Sequence, residues 1–135
     1  MVDERSWGRR RSVSFDAASE SVRRAREVIR DLYAEAPRAP DNLDTALLLV
    51  SEVVTNAVLH GRGKAVLDAH LAPERLEVGV TDDNPVPPEV QHVEEVLAES
   101  GRGMLLVEQL AARWGVEPTA SGGKRVWFEL PEVGS

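Results

Sequence analysis

Several common features are missing from this sequence. It has no cysteine, which excludes disulfide bridges and thiolate metal sites. No apolar run approaches the roughly 20 residues needed to cross a bilayer. The first residues also lack the apolar core of a secretory signal peptide. These absences predict a soluble, cytoplasmic protein that has no membrane partner.

Basic charge is also scarce. The chain has 16 Lys and Arg residues against 23 Asp and Glu residues, a formal net charge of -7. Proteins that bind nucleic acid usually carry a basic surface, so this balance argues against direct binding to nucleic acid. The N-terminal segment is the exception, and it contains Arg5, Arg9, Arg10 and Arg11. We assign residues 1–13 to a basic, flexible tail, with contact to an acidic partner as the alternative.

The 135 residues suffice for one domain, which we place at residues 14–131, followed by a short tail at 132–135. Apolar residues at helical spacing predict a first helix capped by Asp16 and a second from Asp41 or Asn42 to Gly61. Glycines at the start of another apolar pattern predict a third helix from Gly103 or Met104 to Arg113, with a helical turn before it at 93–98.

Alternating residues predict strands at 12–15, 65–71, 75–82, 116–118 and 125–130, with turns at 72–74 and 121–123. The order of elements predicts an α/β (α+β) fold, a two-layer sandwich. Its sheet would be mixed, mostly antiparallel, and covered by helices on one face.

Glu52 and Asn56 carry the first chemical signal. They are four residues apart on the second predicted helix, so their side chains leave the same face one turn apart. A carboxylate there can accept a proton, and an amide oxygen one turn away can ligate Mg²⁺. The alternative is a polar stripe on an amphipathic helix. His60 extends the stripe, and we favour a helix-capping role for it over catalysis.

Two further motifs follow. Asp82 ends a strand, where a carboxylate can accept a hydrogen bond from an adenine amino group, although taken alone this motif favours a solvated turn. Gly101 and Gly103 open the third helix, where glycines and free backbone amides suit a phosphate and Arg102 adds a positive charge. A plain junction between loop and helix is the alternative.

In this order the motifs resemble the GHKL ATPase superfamily, which has the Bergerat-type ATP-binding fold. The resemblance runs from about Ser14 to Leu130. Residues 101–107, 114–116 and 124–130 are especially similar to the small anti-sigma-factor serine kinases of actinobacteria. After Asp82 the chain departs from the usual Asp-x-Gly-x-Gly pattern, since it reads Asp-Asp-Asn-Pro-Val. Arg125 stands where we expect the family's threonine on the last strand.

The resemblance implies roles for individual residues. Glu52 would be the general base, Asn56 the Mg²⁺ ligand and Asp82 the adenine reader. Gly101 and Gly103 would form the phosphate loop. We place three neighbours of these glycines in the same nucleotide site: Arg102, Met104 and Leu105.

The function that the resemblance implies is that of a protein serine/threonine kinase using ATP and Mg²⁺. Such a protein binds a sigma factor and phosphorylates an antagonist of the anti-sigma factor. The alternative is a non-catalytic module that sequesters a partner and binds ATP weakly or not at all. The sequence leaves open whether the chain forms a homodimer.

Overall fold

The computed structural model describes residues 8–16, 18, 20–37, 39–60, 63–84 and 99–131. This part of the chain forms three helices and five strands. The helices are α1 (Glu20–Glu35), α2 (Leu43–His60) and α3 (Glu99–Leu110). The strands are β1 (Arg9–Asp16), β2 (Lys64–Ala72), β3 (Arg75–Asp82), β4 (Arg113–Pro118) and β5 (Lys124–Pro131).

The five strands form one sheet in the order β1-β2-β3-β5-β4. Each neighbouring pair is antiparallel. The α+β fold and the layer of helices are therefore confirmed, and the sheet of the described residues is antiparallel throughout rather than mixed.

The core lies between the helices and one face of the sheet. Side chains alternate between the two faces of a strand, so every second residue of β2, β3 and β5 points toward the helices and is buried. Helix α2 contacts both other helices and also β3 and β5. Four residues of its predicted apolar face are buried, namely Leu47, Val50, Val54 and Ala57, and the fifth, Leu43, is partly buried against the core. The opposite face of the sheet carries no helix of the described chain.

The start of α2 follows the sequence prediction. The carbonyl of Asn42 accepts the first helical bond from the Ala46 amide, which is the behaviour of an N-cap residue. The Asn42 side chain accepts a hydrogen bond from the Tyr33 hydroxyl at 2.6 Å and donates one to the Pro131 carbonyl at 2.9 Å. Burial raises the pKa of Tyr33. This network joins α1, α2 and the end of β5.

The N-terminal boundaries differ from the prediction. Residues 9–13, which we assigned to a flexible tail, pair with β2 as part of β1. Asp16 is the last residue of β1 and does not cap α1. The Ser21 hydroxyl instead donates to the Asp16 carbonyl and accepts from the Ala18 amide, which fixes the entry to the helix.

Helix α3 begins and ends earlier than predicted. It starts at Glu99, so Gly101 and Gly103 lie inside the helix rather than in a turn before it. A glycine in a helix costs about 1 kcal/mol relative to alanine, an amount that packing readily overrides. The helix ends at Leu110 because Arg113 belongs to β4 and pairs with Glu129.

Some predictions lie outside the described residues: the helical turn at 93–98, Gly61 as the stop of α2, most of the N-terminal tail and the tail at 132–135. Within the described part of the chain, no helix is both long enough and apolar enough to span a membrane.

Candidate functional site

The topology gathers several of the predicted site residues at one end of the sheet. The register pairs Asp82 at the end of β3 with Lys124 at the start of β5, and Lys64 begins β2 at this same end. Helix α2 ends at His60, shortly before β2 begins, so Asn56 lies about one turn from this end.

Helix α3 points toward the same end. Its C-terminus is tied to the opposite end of the sheet, because the Ala112 amide donates to the Glu129 carbonyl at 2.8 Å. The helix has 12 residues and therefore runs back about 18 Å, which brings its first turn toward Asp82. Asn56 and Asp82 thus lie toward one end of the sheet and α3 starts on the side of that end, whereas Glu52 lies one turn farther from it, in the middle of α2.

Asn56 is a buried polar residue, with 6% of its surface exposed. None of the hydrogen bonds found among the described residues uses its side-chain amide. Buried polar groups are nearly always hydrogen-bonded, so this amide is suited to bind a ligand that is not part of the polypeptide. Glu52, one turn earlier on α2, is partly exposed. The pair therefore combines a buried amide suited to bind a ligand with a carboxylate that solvent can reach.

Asp82 forms a buried ion pair with Lys124. The Lys124 ammonium lies 3.0 Å from Oδ1 and 3.1 Å from Oδ2 of the carboxylate, and each side chain is only 2% exposed. The ammonium also donates to the carbonyl of Asn84 at 3.0 Å, while the Asn84 amide donates to Oδ1 of Asp82 at 2.9 Å. The carboxylate predicted to read adenine is thus already engaged by a positive charge.

The hairpin between β4 and β5 forms the wall beside Asp82. The predicted turn is confirmed, since the Gly122 amide donates to the Thr119 carbonyl and Gly122 has a φ of 95°. A β-carbon on Gly123 would lie 1.9 Å from the Asp82 carbonyl oxygen. The glycine therefore permits a backbone approach between β5 and β3 that no other residue allows, and this approach places Lys124 against Asp82.

Arg125, which we placed at the position of the family's threonine, is the register partner of Thr81 and lies on the outer face of the sheet. It faces away from the helices and binds Asp68 at 2.7 Å and Glu77 at 3.2 Å. Its hydrogen bond with Asp68 raises the pKa of Arg125. Lys124 is the residue beside Asp82, and our sequence reasoning missed it. The signal was available, because the inward apolar residues of β5 occupy even positions and so assign position 124 to the inner face.

Further charged groups cover the outer face of the sheet. Two hydrogen bonds from Arg113, at 2.8 and 3.0 Å, hold the pKa of Glu129 below its ordinary value. Burial lowers the pKa of His70, and the nearby charges of Arg10 and Arg75 lower it further. This face therefore carries ion pairs on the side of the sheet away from Asn56 and Asp82.

The remaining residues predicted for the nucleotide site differ in burial. Met104 is fully buried in the hydrophobic core, and Leu105 is partly exposed. The backbone of Gly101–Gly103 is helical, and the side chain of Arg102 lies outside the described part of the chain. Among the described residues, no cluster of three or more His, Asp or Glu could hold a metal ion.

Comparison with known proteins connects this architecture to a family. A model of the histidine kinase-like ATPase domain matches residues 15–130. The uncharacterized protein SCO4941 of Streptomyces coelicolor is 40% identical over 72 residues, which cover 50% of this chain and 69% of that protein.

A solved structure supports the fold. The crystal structure of the RsbU and RsbW domains of Rv1364c from Mycobacterium tuberculosis matches 90% of this chain with a TM-score of 0.66 and 21% identity. This chain spans only 32% of that one. A blue-light activated histidine kinase from Erythrobacter litoralis matches 82% of this chain, and 59% of its own histidine kinase domain chain, with 25% identity and a TM-score of 0.49.

Proposed function

We propose, from the premise that the chain belongs to the histidine kinase-like ATPase domain family, that it binds ATP and transfers the γ-phosphate to a serine or threonine of a partner protein. The observation that carries this proposal is the Asn56 amide. It is buried near the end of α2 and uses none of the hydrogen bonds among the described residues.

Asn56 fits a role as ligand to Mg²⁺. The ion binds oxygen ligands, keeps several waters, and needs only one or two protein groups when phosphates supply the rest. A single buried amide oxygen therefore suffices. When bound, Mg²⁺ would neutralise charge on the phosphates as the phosphoryl group transfers.

Glu52 supplies the proton acceptor in this proposal. Its carboxylate takes the proton of the attacking hydroxyl while the hydroxyl oxygen forms a bond to the γ-phosphorus. The bond from that phosphorus to the bridging oxygen breaks, and ADP leaves with the electron pair. Partial exposure suits Glu52 to this role, because a protein substrate has to reach it. The first turn of α3 would direct backbone amides at the phosphates.

The proposed partners follow from the resemblance to anti-sigma-factor kinases. We propose that the chain binds a sigma factor and phosphorylates the anti-sigma-factor antagonist, the protein that would otherwise release the sigma factor from this chain. A second function is a binding module that sequesters its partner without catalysis. The ion pair between Asp82 and Lys124 favours the module, because it occupies the carboxylate that would read the base.

The experiment compares Glu52→Gln with Asn56→Ala. Titration calorimetry with ATP, with and without Mg²⁺, measures binding, and transfer of radiolabelled phosphate to candidate antagonists measures catalysis. Glu52→Gln keeps the size of the side chain and removes the base, so ATP affinity should stay close to wild type. Phosphate transfer should fall by at least about 100-fold, the lower end of what general bases contribute. Asn56→Ala should lose the Mg²⁺-dependent part of ATP binding.

Glu27→Gln is the matched control. It makes the same chemical change on α1, where the side chain is 59% exposed and lies 3.9 Å from Arg23. This variant should behave as wild type in both assays. If the wild type binds a sigma factor but phosphorylates no antagonist, the kinase proposal is refuted and the binding module becomes the better description.

A further inference from the structure

Lys124 is an unusual residue for its position. A lysine side chain is rarely fully buried unless it is paired, and this one lies on the helix-facing side of β5 with 2% exposure. Its three N–H groups meet three acceptors within 3.1 Å: both oxygens of Asp82 and the carbonyl of Asn84. The donors of the ammonium are therefore fully used inside the protein.

The carboxylate of Asp82 is also largely used. Each of its oxygens can accept about two hydrogen bonds. Oδ1 accepts one from the Lys124 ammonium and one from the Asn84 amide, and Oδ2 accepts one from the same ammonium. With only 2% of the Asp82 side chain exposed, a purine base has no access to Oδ2 in this arrangement.

We propose that Lys124 is an internal competitor of the nucleotide base and determines how strongly this site selects adenine. This inference rests on the proposed ATP site. In the form of the protein that binds adenine, the ammonium has left the carboxylate, and the amino group of the base donates to Asp82 in its place. An ammonium is a stronger partner for a carboxylate than a neutral amino group, so the exchange weakens ATP binding.

Lys124→Thr removes the competitor and keeps a residue that suits a strand. We expect this variant to bind ATP at least about tenfold more tightly than wild type. Affinity for GTP should change little, because guanine presents a carbonyl oxygen at the corresponding position, which cannot donate to Asp82. The ratio of ATP to GTP affinity should therefore rise, and a purely structural role of Lys124 would not raise it.

Arg125→Thr is the matched control. It makes a cation-to-threonine change one residue away, on the outer face, where Arg125 binds Asp68 and Glu77. It should leave the ratio of ATP to GTP affinity unchanged. Lys124→Met, which keeps most of the side-chain volume, provides a second variant in case Lys124→Thr does not fold.

The wild-type protein offers an independent test, since the sequence has only two lysines, Lys64 and Lys124. Lysine labelled with ¹⁵N therefore gives two side-chain ammonium signals, and the exposed Lys64 serves as an internal reference. Saturating Mg-ATP should move the Lys124 signal toward that of a solvated lysine, while GTP at the same concentration should move it less.

The outcomes separate this inference from the proposed function. If wild type binds ATP but the Lys124 signal does not move, or the variants bind ATP no more tightly, the competitor role is refuted while the ATP site stands. If only the Lys124 variants bind ATP, the competitor role is supported and the native chain is not an ATP-dependent kinase. If none of the proteins binds ATP, both proposals fail.

Discussion

The two charges of the buried ion pair between Asp82 and Lys124 should be strongly coupled, so that each one is costly to keep without the other. At 3.0 Å and an effective dielectric constant of about 20, their attraction is about 5.5 kcal/mol. Removing one partner of a buried pair leaves the other charge without compensation, which typically costs about 3–5 kcal/mol. We therefore expect Asp82→Asn and Lys124→Met each to lower the free energy of unfolding by about this amount.

The double variant is the decisive measurement. Because both single variants lose the same interaction, Asp82→Asn combined with Lys124→Met should cost much less than the sum of the two. Urea unfolding followed by circular dichroism gives all four free energies. The pair Arg23 and Glu27 is a contrast, since its atoms are 3.9 Å apart and its side chains are 78% and 59% exposed. Its coupling should be about 0.5 kcal/mol or less.

Two results would refute this reasoning. Single variants at the buried pair that lose less than about 1 kcal/mol would mean that water solvates these charges in the folded protein. Losses that add up fully in the double variant would mean that the residues act independently.

Three further predictions concern the surrounding structure. Tyr33→Phe leaves the buried Asn42 oxygen without its donor and should cost about 1–3 kcal/mol in urea unfolding. Gly123→Ala places a carbon 1.9 Å from the Asp82 carbonyl oxygen, so it should lower the melting temperature and disturb the site that Lys124 forms. The pKa of His70 is lowered in the fold, so the unfolded chain binds the proton more readily and stability should fall as the pH drops below about 6.5. Replacing His70 with Gln should flatten this part of a stability profile measured against pH.

Local patterns predicted the parts of the fold that depend on local interactions. The buried face of α2 follows from the spacing of its apolar residues, and the hairpin of β2 and β3 follows from alternation on either side of a short turn. The start of α3 was missed because glycine disfavours a helix locally, and the packing that compensates for it is not visible in nearby residues.

The contact between Asp82 and Lys124 could not be predicted from local patterns, because it depends on how two distant strands pair. The two residues are 42 positions apart, and they meet only because β3 and β5 pair in one particular register. A shift of one residue in that register would turn Arg125 toward the helices and Lys124 away from them. We placed Arg125 at the position of the family's threonine and gave no role to Lys124, one position earlier, which is the residue that the register brings to Asp82.

The two halves of the proposed site lead to different conclusions about function. The half near Asn56 has a buried amide suited to a metal-bound phosphate, whereas the half near Asp82 has a carboxylate held by Lys124. Phosphoryl transfer depends chiefly on positioning and charge neutralisation at the phosphates. A nucleotide whose adenine contacts the protein weakly can still place its phosphates in the site. Loss of adenine recognition would therefore raise the concentration of ATP that the chain needs without removing its chemistry. A kinase of this kind would be inactive at low ATP concentration and would then act as the binding module. ATP affinity would therefore decide between the two functions, and Lys124 is the residue proposed to set that affinity.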